Sequence, residues 1–383
     1  MRFSFGKGLL FAIGDKHGWK KCWHAGQLSQ SVFNPCLIVG TIRGSTVVVA
    51  WSVVRLTAEM KLTFLKNIGN FAQYVLIQIV ISLFQAFPLE TCDRICKFLA
   101  SLISDRIGFR RKIIRENILG VFPDASDEKI ATMSREMWYH LLLMGVEIAQ
   151  APRKIHDTNW RKHVYIRDIV QMTNYLIDYR PLVAVSGHFG NFEMGGYVTG
   201  LLGMPSYTVA REMDNPYLDD FINKFRGHNG QFILPKDGSS TAIQEVMESG
   251  GILTILGDQH AGTKGCWIDF LGRPAACHKA IALFTLSGNA PMMVSYCKHT
   301  GKPLQFEIGC TGVADPLELD PELKNVTALT QWYNDRLAEA IFDDPNQFWW
   351  VHRRWKEKPV RKTKKRRAEQ EREKLAKSRA EAA

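Results

Sequence analysis

The chain has 383 residues, 46% hydrophobic and 23% charged, a composition that excludes wholesale disorder and a bundle of many membrane spans. It leaves room for one α/β enzyme with terminal extensions. The formal net charge is +11, but residues 356–383 hold twelve Lys or Arg against five Glu, so most of the excess is a terminal block: a solvated helix or arm, a patch for an anionic membrane surface, or a nucleic-acid contact.

Residues 1–59 carry Gly, Lys and Trp without a period, plus an isolated apolar run over 47–54. They read as an extension without a defined fold, or as sequence ahead of a start at Met60, where a cleaner pattern opens. The apolar stretch after Arg2 and Lys7 is short and soon broken by Asp15 and Lys16, which argues against a secretory signal. Residues 71–87, FAQYVLIQIVISLFQAF, are apolar except for Gln73, Gln78 and Gln85, and Pro88 closes them. Their length is the lower end for a span and the glutamines favour the interface, so a short anchor or an interfacial helix is predicted, with a buried core helix as the alternative. The basic run GFRRKIIREN follows, with Ile113, Ile114, Ile118 and Val121 at helical spacing, a pattern suited to a phospholipid surface. Residues 60–125 are therefore read as a membrane-associating helical region.

Residues 126–355 read as the catalytic domain. Between about 181 and 310, short apolar runs alternate with helical patterns: LVAVSG then NFEMGGYVTGLL, SYTVA then NPYLDDFINKF, QFIL then TAIQEVMES, ILTIL, and HKAIALFTLSG then APMMVSYC. This alternation predicts an α/β fold, a largely parallel or mixed sheet flanked by helices. Residues 322–342 supply a closing helix. FWWVHRRW at 348–355 reads either as an interfacial belt or as a strand closing the sheet. Residues 356–383 form a basic tail. The eight cysteines show neither CxxC nor a zinc spacing and are expected to be reduced thiols at a cytosolic site, with no metal.

The chemistry concentrates in VAVSGHFGNFEMGG, 183–196. An apolar strand ends near His188, and a helix begins within a few residues, so His188 is placed at the carboxyl end of a strand, where open α/β sheets bind ligands. Ser186, Gly187 and Gly190 would let a substrate approach the backbone. Glu193, five positions on, is expected to reach back to one imidazole nitrogen and make His188 a general base. The amides near Gly190 and Asn191 are expected to donate to a developing oxyanion. The alternative for such a pair is a histidine merely satisfied by a helix carboxylate.

His188 and Glu193 in SGHFGNFE resemble the HxxxxD/E signature of the glycerolipid acyltransferase superfamily. More narrowly, RRKIIRENILGVFPDAS, SGHFGNFE, VAREMDNPYLDDFINKFRG, GDQHAGTKGCWIDFLGRPA and FWWVHRRWKEKP, together spanning about 60–359, are similar to the bacterial lipid A biosynthesis acyltransferases, the lauroyl or myristoyl transferase family. The resemblance implies a monotopic or singly anchored enzyme on the cytoplasmic face of the inner membrane. It implies an acyl carrier protein or acyl-CoA donor, a phosphorylated glycolipid acceptor, and no metal or nucleotide cofactor. It makes His188 and Glu193 the catalytic pair and gives Arg211 and Asp258 substrate-binding roles. A guanidinium suits a lipid phosphate, whereas Arg211 in a loop ion pair is the plainer reading. Asp258 would orient Arg211 or a substrate hydroxyl, or simply close a turn. Gln259 and His260 are lesser lining candidates. The loop with Cys266, Trp267, Asp269, Phe270 and Arg273 resembles the family's hydrophobic segment near the acyl site, or is packing. The extension and tail lie outside the resemblance.

Two other readings compete. A membrane- or nucleic-acid-binding protein without catalysis would rest on the basic tail, yet no nucleic-acid fold is recognisable. A lipid or thioester hydrolase would need a nucleophile, and Ser186 is not in a GxSxG setting. His352 is set aside as a catalytic candidate, because no carboxylate neighbours it in sequence.

Overall fold

A computed structural model describes residues 40–42, 45–47, 50–235 and 238–356, with side chains from 64 onward. The basic tail and most of the amino-terminal extension lie outside the described residues. The chain divides into two units, 1–66 and 67–383. The first holds a short antiparallel pair, β1 (Gly40–Ile42) and β2 (Ser45–Val47), and the start of helix α1 (Ala50–Ala86).

In the second unit α1 leads into α2 (Leu89–Ser101), a π-helical turn (Leu102–Ile107), α3 (Arg111–Val121) and α4 (Asp127–Lys154). Ser126 caps α4 by accepting from Lys129 N, with Asp127 and Glu128 in its first turn and Arg153 and Lys154 in its last, the charge order that suits a helix dipole. Then come β3 (Val164–Ile166), α5 (Ile169–Leu176), β4 (Leu182–Ser186), α6 (Phe192–Leu201), β5 (Ser206–Ala210), α7 (Pro216–His228), β6 (Gln231–Pro235), α8 (Ser240–Glu248) and β7 (Ile252–Leu256). A hairpin follows, β8 (Cys266–Phe270) and β9 (Arg273–Cys277), whose turn residues Leu271 and Gly272 both have positive φ, the two-residue turn that matches strand twist. The unit ends with α9 (Lys279–Ser287), β10 (Met292–His299), β11 (Phe306–Ala314) and α10 (Val326–Asp343).

Seven strands form one sheet in the order β3-β11-β10-β4-β7-β5-β6, and every neighbouring pair is parallel except β10 with β11. Both faces are covered. Val183, Val185, Leu253, Met292 and Val294 pack with Ile281 of α9 and Leu329, Tyr333 and Leu337 of α10. The alternate residues Leu182, Ile252 and Met293 pack with Met194, Tyr197 and Val198 of α6. Burial on both sides is why β4 reads as an unbroken apolar run instead of alternating. The α/β expectation is met, with β3, β11 and the β8–β9 hairpin added to the strands read from sequence.

The apolar stretch of α1 is longer than the sequence reading: Phe64–Ala86, 23 residues with mean hydropathy 1.4, fits a span by length and composition. Its glutamines explain the ambiguity. Gln73 Oε1 accepts from Asn215 Nδ2 (2.9 Å) and Gln85 Nε2 donates to Ala149 C=O (2.8 Å), so two of the polar residues serve contacts with α7's cap and α4. Phe71, Val75, Leu76, Ile79, Val80 and Leu83 remain exposed.

The 348–355 segment is neither a sheet strand nor an exposed belt. It follows a short 3-10 turn, Trp350 is wholly buried, and Arg354 is buried while donating to Ala276 C=O (2.9 Å) and Cys277 Sγ (2.8 Å). The basic run before it is only partly a surface. Asn117 Nδ2 donates to Trp350 C=O and His352 C=O (both 2.7 Å), and Arg110 Nη1 to Val351 C=O (3.2 Å), which ties α3 to this segment.

Candidate active site

Neighbouring parallel strands bring the central pair together. β4 and β7 run in register with Ser186 opposite Leu256, so the residues two positions beyond each strand end, His188 and Asp258, meet at the sheet's carboxyl edge. Gly257 N–H donates to Ser186 C=O (2.8 Å) and extends the pairing by one step. A Cβ on Gly187 would sit 3.3 Å from the Asp258 side chain, so glycine there allows the close approach. His188 Nδ1 lies 2.8 Å from Asp258 Oδ1. With a carboxylate on Nδ1, that nitrogen carries the proton and Nε2 is left with a lone pair.

Asp258 is buried. Burial alone would raise its carboxyl; the His188 imidazole, by charge and hydrogen bonding, and then Arg354 hold it below the usual carboxylate range. It therefore stays ionised and fixes the ring. Gln259 Nε2 lies beside the ring, 3.1 Å from His188 Nε2, 3.4 Å from His188 Nδ1 and 3.2 Å from His352 Nε2. Trp349 and Phe192 pack around the imidazole with ring centroids at 5.0 and 5.1 Å, and His352 lies at 5.2 Å. Trp349 N–H donates to His188 C=O (3.1 Å). Burial first, then His188 nearby, bring the His352 imidazole down to about 4, so it is neutral near pH 7. His352, set aside in the sequence for want of a neighbouring carboxylate, and Trp349, read there only as part of a belt or closing strand, reach the ring from some 160 residues downstream.

Glu193 is not the partner of His188 in this geometry. Its two oxygens take Arg226 of α7: Oε2 accepts from Nε at 3.0 Å and Oε1 from Nη2. The intervening turn redirects the carboxylate. Gly190 has φ +59, forms a bridge with Cys297, and leaves no room for a Cβ, which would meet Cys297 O at 2.1 Å. Asn191 is fully buried and caps α6 by accepting from Met194 N (3.1 Å). The chain thus enters α6 with Glu193 directed to α7, while a charged fork offers two bonds at once. Gly190 and Asn191, expected to meet substrate, instead hold the turn against β10: Gly190 N–H donates to Gln347 C=O (3.1 Å) and Asn191 N–H to Cys297 C=O (2.8 Å).

Arg211 follows β5, is 76% exposed and donates to Asp214 Oδ1 at 2.7 Å. It shares a cleft of about 120 Å³ with Met213, Asp219, Asn223, Arg226 and Pro235. Asp258 does not orient it; His188 takes that carboxylate. His260 is half-buried with its Nδ1 unpaired.

Behind the turn lies a second histidine–carboxylate pair. Glu147 of α4 is wholly buried and accepts from His299 Nε2 (2.7 Å), Asn191 Nδ2 (2.8 Å) and Leu304 N–H (2.8 Å). His299 Nδ1 lies 3.1 Å from His140 Nδ1 and 3.2 Å from Gln347 Oε1. Burial opposes charge on His299, but Glu147 outweighs it and holds the imidazole above its ordinary value. Burial, then the charge of His299, brings His140 down to about 3.

Comparison with known proteins gives the family. The family model described as bacterial lipid A biosynthesis acyltransferase matches residues 60–357. The lipid A biosynthesis palmitoleoyltransferase of Escherichia coli K12 is 25% identical over 260 residues, covering 66% of this chain and 80% of that one. The lipid A biosynthesis lauroyltransferase of the same organism is 23% identical over 261 residues, covering 65% and 80%. Among solved structures, the 1-acyl-sn-glycerophosphate acyltransferase PlsC of Thermotoga maritima covers 70% of this chain and 98% of its own, at 11% identity and a TM-score of 0.33.

Proposed function

From the premise that the chain belongs to the bacterial lipid A biosynthesis acyltransferase family, we propose that it moves a fatty acyl group from an acyl carrier protein or coenzyme A thioester to a hydroxyl of a lipid A precursor or a related phosphorylated glycolipid. His188 is the general base and Asp258 its carboxylate partner. The observation that carries this reading is the 2.8 Å contact of His188 Nδ1 with Asp258 at the carboxyl end of the parallel sheet. It leaves Nε2 as a lone-pair base of the kind that contributes about 10² to 10⁴-fold in rate.

In the reaction, the acceptor oxygen bonds to the thioester carbon as its proton passes to His188 Nε2. The imidazolium so formed is stabilised by Asp258, which remains ionised. Collapse of the tetrahedral species breaks the C–S bond, and the proton on Nε2 goes to the departing thiolate. Glu193 acts at one remove: it holds Arg226 at the cleft shared with Arg211, and these two guanidinium groups are the phosphate contacts for the acceptor. The exposed apolar face of α1 lies against the cytoplasmic leaflet of the inner membrane, as an anchor or an interfacial helix, and keeps the site beside its lipid substrate.

The test is direct. Purified full-length protein is given lauroyl-acyl carrier protein or lauroyl-CoA with a tetra-acylated lipid A precursor, and products are read by mass spectrometry. Acylated product from wild type, lost in His188→Ala while that variant is still folded, is the expected result. Undiminished product from that variant, or none from wild type with any phosphorylated glycolipid, removes the proposal.

A further inference from the structure

Acyl transfer needs a donor for the oxygen that becomes negative, and the three backbone amides of the turn after His188 are already spent. Phe189 N–H donates to Gly187 C=O (2.8 Å), Gly190 N–H to Gln347 C=O (3.1 Å) and Asn191 N–H to Cys297 C=O (2.8 Å). The contact of Gly190 with the β10 backbone prevents the turn from rotating those amides outward. The carboxamide beside Nε2 is a side-chain donor within reach.

We propose that Gln259 is a catalytic residue, its carboxamide N–H donating to the thioester carbonyl oxygen as that oxygen takes up charge. Gln259 directly follows Asp258, so the same β4–β7 register that seats the base's partner carries this amide to the flank of the same ring. Its Nε2 is 3.1 Å from His188 Nε2 and 3.2 Å from His352 Nε2. The amide is 3.4 Å from Nδ1 as well, so it flanks the ring and leaves the Nε2 lone pair open. One N–H goes to His352, which burial keeps neutral and so able to accept.

An acceptor hydroxyl docks on the open Nε2 lone pair, while the bond to His352 holds the amide in place. The other N–H then stands beside the nucleophile, in the region the thioester carbonyl must enter for attack. As the acceptor oxygen bonds to carbon and its proton moves to Nε2, the π pair of C=O shifts to oxygen and is met by Gln259. On collapse the C=O re-forms, C–S breaks, and the Nε2 proton leaves with the thiol. A preorganised donor of this kind contributes about 10² to 10³-fold in kcat.

The inference rests on the acyl-transfer reading, and the experiment separates the two. Full-length wild type, Gln259→Leu, Gln259→Glu and His188→Ala are assayed for transfer from lauroyl-acyl carrier protein to the lipid A precursor, and for thioester hydrolysis without acceptor. Both Gln259 variants are expected to lose about 10² to 10³-fold in kcat, with KM for the thioester changed less than threefold and hydrolysis falling in parallel. The isosteric Gln259→Glu keeps the volume and removes the donor, so it decides the matter if the leucine variant misfolds. A folded Gln259→Glu within threefold of wild-type kcat, or a loss confined to KM, overturns the assignment even when His188→Ala is dead. Thioester hydrolysis that depends on Gln259 in a protein unable to acylate any glycolipid would keep the assignment and remove the proposed acceptor. Wild type inert toward both water and lipid removes both.

Discussion

Two histidine–carboxylate pairs of nearly equal length stand on either side of one turn, and their surroundings give them opposite uses. His188–Asp258 spans 2.8 Å and His299–Glu147 spans 2.7 Å. At His299 both ring nitrogens are consumed, by Glu147 on one side and by Gln347 and His140 on the other, and the ring is almost sealed. At His188 only Nδ1 is tied, and Nε2 faces a side-chain amide and aromatic rings at a partly open edge. A carboxylate beside an imidazole is therefore not by itself a catalytic sign; the free nitrogen is.

That contrast predicts its own largest break. His188→Ala should lower kcat by about 10³-fold or more, and Asp258→Asn by about 10²-fold, because the ring loses its fixed tautomer and the charge that stabilises the imidazolium. Breaking this buried pair from one side will cost stability too, so kcat is read per folded molecule under conditions where urea unfolding shows each variant native. A variant that loses activity only by unfolding would make His188 a brace like His299.

Glu147→Gln is the mirror experiment. It leaves a buried imidazole without its counter-charge, and breaking a buried pair from one side costs about 3 to 5 kcal/mol. Urea denaturation should show that loss, while kcat per folded molecule at low temperature falls by less than about tenfold. A fall matching Asp258→Asn without loss of stability would place Glu147 in the chemistry instead.

Glu193 gives a smaller and sharper test. If it served His188 it would match Asp258; as the partner of Arg226 its removal should cost roughly tenfold, mainly in KM for the phosphorylated acceptor. The exchange Glu193→Arg with Arg226→Glu should recover part of that loss, measured as kcat/KM. No recovery, together with a pure kcat effect, would return Glu193 to the imidazole.

The sequence carried the strands that matter and the place of His188 at a strand's carboxyl end, because period-2 and unbroken apolar runs at 182–186, 206–210 and 252–256 are local signals. It could not carry the contact with Asp258. Glu193 is five residues from His188 and Asp258 is 70, and the second is adjacent only because β7, not β5, pairs with β4. Strand order is a property of the whole sheet. The same limit hid His352, which arrives through the irregular segment after α10 that Asn117 holds in place. Gly190 and Asn191 were legible as special, but the special need was a close backbone crossing and a helix cap, not substrate.

The last test is one of pH, and it reads the buried imidazoles on both sides of the turn. His140 and His352 have folded values of about 3 and about 4, below the roughly 6.5 of an unfolded histidine. Between about pH 4 and 6.5 the unfolded chain binds the extra protons, so stability falls with acid, by up to about 1.4 kcal/mol per pH unit for the proton on His140. His299 has the opposite sign. Its folded value is raised, so its contribution is complete below about 6.5 and is lost as pH rises through that folded value. Urea midpoints measured from pH 4 to 9 should therefore pass through a maximum, and His140→Gln should flatten the acid side while leaving the alkaline side and Tm near pH 8 unchanged. If the alkaline side flattens instead, His140 carries the charge in the sealed pair, and the division of roles between the two buried imidazoles is reversed.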